Sequence, residues 1–149
     1  TCPSKLHQKR GWLMADQTTL ETWQQRIDVS PFQRWLGLRV TEVDEGRMCV
    51  SLPWKENLVS NPNPPTVHGG ILASVIDLLG LYSVLTTGSL SIATVDLRVD
   101  YHRPAGPGDM MAEANIIKLG SKVSTAETKV FDASGKLLAS GRGVYLMAG

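Results

Sequence analysis

The sequence predicts an α+β fold in which a curved antiparallel sheet wraps around one long central helix. Residues Val67 to about Leu85 are apolar on nearly every side, which is typical of a helix that is buried all round. After Gly88 the apolar residues change from the spacing of a helix to that of a strand, and four strand-like segments follow. A sheet must bury one face and this helix must be buried on nearly every side. Wrapping the sheet around the helix satisfies both requirements.

Two helical segments and a β-hairpin are predicted before the central helix. Apolar residues recur near helical spacing from Thr18 to about Leu36, and Pro31 divides this segment into a short helix and a further helical turn. Leu38–Val43 and Arg47–Leu52 are short strand-like runs joined by a turn signal, which indicates a hairpin.

The segment that enters the central helix is rich in proline. Pro62, Pro64 and Pro65 fall within four residues, so the sequence predicts a rigid loop without regular structure from Asn57 to Thr66.

The strand after Gly88 has the clearest alternation in the chain. Ala93, Val95, Leu97, Val99 and Tyr101 alternate with polar residues, and Thr94 begins the polar face. Further strands are predicted at Met110–Leu119, Ser121–Phe131 and Leu137–Met147. Short turns join them, so they are expected to pair antiparallel.

Length and composition exclude several classes of protein. The 149 residues predict one domain at 18–149, preceded by a non-native or flexible extension at 1–17. A net charge of +1 excludes a dedicated nucleic-acid binder, and no apolar run reaches the roughly 20 residues that span a membrane.

Two cysteines and no export signal favour the cytoplasm, and no metal-binding motif is present. The charged fraction of 19% is low and hints at surface buried against another subunit.

Two places on the central helix could carry chemistry. At its start, Gly69 and Gly70 expose backbone N–H groups that could hold a carbonyl oxygen as negative charge develops, although two glycines also permit tight packing. Asp77 is the only charged side chain between His68 and Asp96; it is either a functional acid or a structural one that caps a loop. Gly69 and Asp77 are eight residues apart, about 12 Å along a helix, so one reaction centre could use both only across two subunits.

Four further polar residues are weaker candidates. His68 could orient a substrate or simply cap the helix, and the Thr94 hydroxyl could hold a water or the carboxylate, or lie exposed on its strand. Asn61 and Asn63 could donate to a carbonyl, and turn formation explains them equally well.

The stretch VHGGILASVIDLLGLYSV, followed by ATVDLRVDYHRPAGPGD, resembles the hotdog-fold acyl-CoA thioesterases and is most similar to their phenylacetate-degradation (PaaI-like) branch. The resemblance implies that the Gly69 N–H polarises the thioester carbonyl. It also implies that Asp77 of the other subunit acts as general base or nucleophile. His68 is implied to orient the loop and substrate, and Thr94 to position the water. It further implies subunits joined edge to edge in a homodimer, with a homotetramer as the larger assembly, and no cofactor beyond the CoA of the substrate.

One departure from the family pattern leaves a contact open. The family often has an asparagine six residues before the histidine, where this chain has Pro62 between Asn61 and Asn63. Two alternatives to hydrolysis remain at this point: a non-catalytic acyl-CoA-binding hotdog module, and a hotdog dehydratase or hydratase.

Overall fold

The two helical segments and the hairpin at the start of the domain form as the sequence predicts. The computed structural model describes residues 17–148, so the predicted extension lies outside the described residues except for Gln17. The first four elements are α1 (Gln17–Asp28), α2 (Pro31–Leu36), β1 (Arg39–Asp44) and β2 (Arg47–Leu52). Ser30 caps α2 by accepting a hydrogen bond from the backbone N–H of Gln33, and Gly37 ends α2 with a φ of 74°.

The prediction of an irregular loop before the central helix was wrong. After a 3₁₀ turn at Glu56–Leu58, this segment forms a two-stranded ribbon of β3 (Val59–Pro62) and β4 (Pro65–Val67). Pro62 and Pro65 pair with each other at the turn end of the ribbon. Proline is tolerated there because no third strand needs its missing N–H.

The central helix α3 (Gly69–Leu85) packs against a six-stranded sheet. The other strands are β5 (Ser91–Tyr101), β6 (Met110–Lys118), β7 (Val123–Asp132) and β8 (Leu137–Met147). Their order is β1-β2-β6-β7-β8-β5, and every neighbouring pair is antiparallel. The α+β prediction of a sheet around one long helix is confirmed.

Glycine in β8 allows the helix to approach the sheet closely. A Cβ on Gly141 would lie 2.6 Å from the Ile76 side chain of α3. Val75, Ile76 and Leu79 of the helix are completely buried in the core that results. No helix within residues 17–148 is long and apolar enough to cross a membrane.

Strand β5 is an edge of the sheet and carries a bulge that changes its inward face. Thr94 pairs with Tyr145 of β8 and Leu97 pairs with Gly143, with a register shift between Thr94 and Asp96. Because Tyr145 and Gly143 are two residues apart on β8, their partners Thr94 and Leu97 share one face. The prediction that Thr94 lies on the opposite, polar face was therefore wrong: Thr94 faces the helix.

Candidate active site

The start of α3 leaves one backbone donor open. His68 is the N-cap, and its Nδ1 accepts a hydrogen bond of 2.8 Å from the Gly70 N–H. The Ile71 N–H donates to the His68 carbonyl at 2.9 Å. Within residues 17–148 the Gly69 N–H has no acceptor. Of the two glycine N–H groups that the sequence indicates, the Gly70 N–H is thus taken by His68, and the Gly69 N–H is open at the positive end of the helix dipole.

Both glycines at the helix start also have a packing reason. A Cβ on Gly70 would lie 2.9 Å from the capping nitrogen of His68. A Cβ on Gly69 would lie 3.2 Å from the Tyr101 ring, and the Tyr101 hydroxyl donates to the Gly69 carbonyl at 2.9 Å. Close packing therefore explains both glycines, and Gly69 in addition has the open N–H.

Asp77 lies partly buried in the middle of α3 and is held at both its side chain and its backbone. The Thr94 hydroxyl donates to Asp77 Oδ1 at 2.8 Å. The buried Tyr145 hydroxyl donates to the Asp77 carbonyl at 2.9 Å. Burial raises the pKa of the Tyr145 phenol and the negative charge of Asp77 raises it further, so Tyr145 stays a donor at neutral pH.

The asparagines of the proline-rich ribbon are engaged in its turn. Asn61 Oδ1 accepts a hydrogen bond of 3.1 Å from the Asn63 backbone N–H. The base of the ribbon joins the helix start, because the His68 N–H donates to the Leu58 carbonyl at 2.8 Å. Among the described residues, neither asparagine side chain bonds to His68, Gly69 or Asp77.

Two tyrosines of the candidate site, Tyr101 and Tyr145, could not be identified from the sequence. Tyr101 belongs to the V-D-x-x-x-x-Y-x-x-P motif and to the alternating apolar residues of β5. An ordinary strand residue explains both patterns, so neither indicates a role in the site. Tyr145 has no signal that distinguishes it from any apolar core position. Only the structure shows that their hydroxyls hold the carbonyls of Gly69 and Asp77.

Within residues 17–148, neither a metal cluster nor the lining of a cavity beside the turn at 132–134 includes these residues. A cavity of about 280 Å³ lies between residues 104–109 and the turn at 132–134, away from His68 and Asp77. In the described part of the chain, no three His, Cys, Asp or Glu side chains lie close enough to hold a metal ion.

A six-stranded antiparallel sheet packed against one long central helix is the architecture of the hotdog-fold thioesterases. A model of the thioesterase superfamily matches residues 65–139, which include β4, α3 and the strands up to the start of β8. The chain belongs to the thioesterase superfamily.

Known relatives and structures agree with this family. A Halobacterium salinarum protein named "Putative esterase" is 35% identical over 82% of this chain and 87% of its own. The medium/long-chain acyl-CoA thioesterase YigI of Salmonella typhimurium is 28% identical over 78% of this chain and 85% of its own.

Among solved structures, a protein from the thioesterase superfamily is 43% identical, with a TM-score of 0.82 over 88% of this chain and 99% of its own. PaaI of Escherichia coli, from the phenylacetic acid degradation operon, has a TM-score of 0.77 over 87% of this chain and 92% of its own. It is 20% identical, so that likeness shows the fold alone.

Proposed function

We propose that this protein hydrolyses acyl-CoA to a free acid and CoA at sites shared by two subunits, with Gly69 from one and Asp77 from the other. The substrate class is supported by the acyl-CoA thioesterase among the relatives. The main observation that supports the shared site is that side chains of strand β5 form hydrogen bonds to both Asp77 and Gly69.

Thr94 and Tyr101 lie seven residues apart on β5 and face the helix. Thr94 binds Asp77, and Tyr101 binds Gly69. In an antiparallel pair of two β5 strands centred between these residues, Thr94 of one subunit lies opposite Tyr101 of the other. The same pairing brings Asp77 of one subunit towards Gly69 of its partner. Within one helix these two residues are about 12 Å apart, which is too far for one reaction centre.

The exposed edge of β5 suits such a pairing. It is an end strand of 11 residues whose outer edge has no partner strand in the described part of the chain. Ile92 is 66% and Val95 60% exposed in the single chain. Long apolar edge strands are prone to pair with another strand. A homodimer joined through β5 is therefore part of the proposal, and two such dimers would form the homotetramer.

Hydrolysis follows from the two halves of the site. The thioester oxygen accepts a hydrogen bond from the Gly69 N–H, which with the helix dipole stabilises the oxyanion. Thr94 occupies Asp77 Oδ1, which leaves Oδ2 to take a proton from water while the hydroxide adds to the carbonyl carbon. The C–S bond then breaks, and the CoA thiolate leaves and is protonated. Asp77 as nucleophile, through an acyl anhydride, uses the same geometry.

The finer parts of the proposal concern substrate and setting. The His-Gly-Gly and V-D-x-x-x-x-Y-x-x-P motifs support the PaaI-like branch, and hence aryl-acetyl substrates. The relatives named YigI support medium or long acyl chains. His68 holds the loop at the start of α3 by accepting a hydrogen bond from the Gly70 N–H. The side-chain oxygen of Asn61 is engaged in the turn, so Asn63 is the asparagine whose side chain is the more open to substrate. The low cysteine content, two in 149 residues, supports the cytoplasm as the compartment.

The test is thiol release from a panel of aryl-acetyl, medium-chain and long-chain acyl-CoAs. Asp77→Asn should lower kcat by about 10²- to 10⁴-fold, the usual contribution of a general base. Asp28→Asn is a matched control, since it removes an equal charge from α1, where the Asp28 carboxylate accepts from Gln24 at 3.1 Å. Thiol release from no thioester would reject the hydrolase in favour of a binding module. Normal turnover by Asp77→Asn would reject the role of Asp77.

A further inference from the structure

We propose that Tyr101 is a positioning residue whose hydroxyl aims the Gly69 N–H at the substrate carbonyl. This inference rests on the proposed function, because it assigns a task to Tyr101 at that same site. It follows from how the peptide groups on either side of Gly69 are held.

Both polar atoms of the Gly69–Gly70 peptide are held by side chains. Its carbonyl accepts from the Tyr101 hydroxyl at 2.9 Å, and its N–H donates to His68 Nδ1 at 2.8 Å. The preceding peptide is held by its carbonyl, which accepts from the Ile71 N–H at 2.9 Å. The Gly69 N–H belongs to this preceding peptide, and it is the one polar group of the two peptides left without an acceptor among the described residues.

Such fixation is needed because glycine is the most mobile residue that could stand there. Without a Cβ, Gly69 could turn its N–H through a wide range of directions at little cost. An oxyanion donor is effective when it is already aimed before charge develops, so that no reorganisation accompanies the reaction. The Tyr101 ring adds to this restraint, since it lies beside Gly69, 3.2 Å from where a Cβ would stand.

The same hydroxyl contributes little to folding. Tyr101 is 55% exposed in the single chain and stands at the end of β5. The Gly69 carbonyl is also an acceptor within α3, because the helix begins at Gly69 and each early carbonyl bonds four residues on. The tyrosine hydrogen bond is therefore a second one on a carbonyl that is already satisfied.

The first test is Tyr101→Phe, which keeps the ring and removes the hydroxyl. We expect kcat to fall about five- to tenfold, the effect of one lost hydrogen bond, with KM and Tm unchanged. Tyr82→Phe is the matched control: its hydroxyl also donates to a backbone carbonyl, that of Arg26 at 3.2 Å, beneath α1. That variant should lower Tm and leave kcat unchanged. A Tyr101→Phe protein with normal kcat, or one whose kcat falls only together with Tm, would overturn the proposal.

A second test does not depend on turnover. Acyl-CoA labelled with ¹³C at the thioester carbonyl is bound to the Asp77→Asn protein, and the carbonyl stretch is read by infrared difference spectroscopy. We expect a shift to lower frequency on binding, and a smaller shift when Tyr101→Phe is added. Equal shifts in the two proteins, or no shift in either, would overturn the role of Tyr101. If wild type binds acyl-CoA without hydrolysing it, the proposed hydrolysis fails, and the infrared comparison still decides the role of Tyr101.

Discussion

If each site takes Gly69 from one subunit and Asp77 from the other, two inactive variants should restore activity when they are mixed. Gly69→Pro removes the oxyanion donor with little change of backbone. His68 has φ −61° and ψ 130°, the conformation that a residue before proline prefers. Proline is also well tolerated at the first helical position. The Tyr101 ring, 3.2 Å from the new Cβ, is half exposed and able to shift by the few tenths of an ångström required. Asp77→Asn removes the base.

The magnitudes follow from the arrangement of the sites. Alone, Gly69→Pro should lose about 10²- to 10³-fold in kcat, as for the loss of one oxyanion donor, and Asp77→Asn about 10²- to 10⁴-fold. In a heterodimer of the two, one site carries both defects and the other carries neither. Each heterodimer has one intact site of two, so the isolated heterodimer should have about half of the wild-type activity, and an equal random mixture, in which about half of the dimers are heterodimers, about a quarter.

The assay is thiol release after differently tagged subunits are co-expressed, with the heterodimer isolated through both tags. Asp77→Asn mixed with Thr94→Val is the control pair, because both residues belong to the same half of the site and each site keeps one defect. Recovery by the first pair and not by the second identifies a shared site. If the first pair gives no more than the sum of its separate activities, Gly69 and Asp77 do not meet across subunits and the reasoning fails.

Three further predictions concern the support of the site and of the fold. Thr94→Val should lower kcat about tenfold while the dimer persists in gel filtration, because it removes a charge-assisted hydrogen bond to Asp77. Arg47→Met should cost about 3 kcal/mol in urea unfolding, because Arg47 binds the buried Glu113 at 2.7 Å, whereas Lys129→Met in an exposed pair should cost less than about 1 kcal/mol. Bonds from the Ser134 hydroxyl and the Lys136 N–H lower the pKa of Asp132, so its ionised form stabilises the fold. The Tm gap between wild type and Asp132→Ala should therefore be full above about pH 4 and close as pH falls below the folded pKa; a gap that persists in acid would contradict this.

The arrangement of helices and strands could be predicted because each element has a strong local signal. The segment before Leu85 is apolar on nearly every side and so predicts a buried helix, and the turn residues before Leu137 predict an antiparallel connection. The ribbon at Val59–Val67 could not be predicted, because proline content indicates where pairing is costly and does not show whether the costly positions fall at a turn.

The bulge in β5 is the error with the greatest consequence for the site. Strict alternation places Thr94 and Leu97 on opposite faces, since they are three residues apart. One inserted residue reverses that relation and turns Thr94 towards Asp77. A bulge leaves little trace in a sequence, because it is decided by the pairing with β8 and not by the residue types of β5 itself.

The acid and the open donor could be identified from the sequence because both violate a local rule. An aspartate in an apolar helix and paired glycines at a helix start are costly, and such costs persist where function needs them. The residues that hold them, Tyr101 and Tyr145, violate nothing. Their hydroxyls act at a distance in sequence of 32 and 68 residues, and only the packing of β5 and β8 on α3 brings them to their carbonyls.

Strand β5 thus has two tasks that depend on one another. Its inward face fixes Asp77 through Thr94 and Gly69 through Tyr101. Its open edge is the strand through which the proposed partner completes each site. A substitution that blocks edge pairing, such as a proline at an outward-donating position of β5, should therefore abolish turnover even though both anchors remain in place within each monomer. If a monomer made in this way kept full activity, the site would lie within one chain, and the link between the β5 edge and catalysis would be refuted.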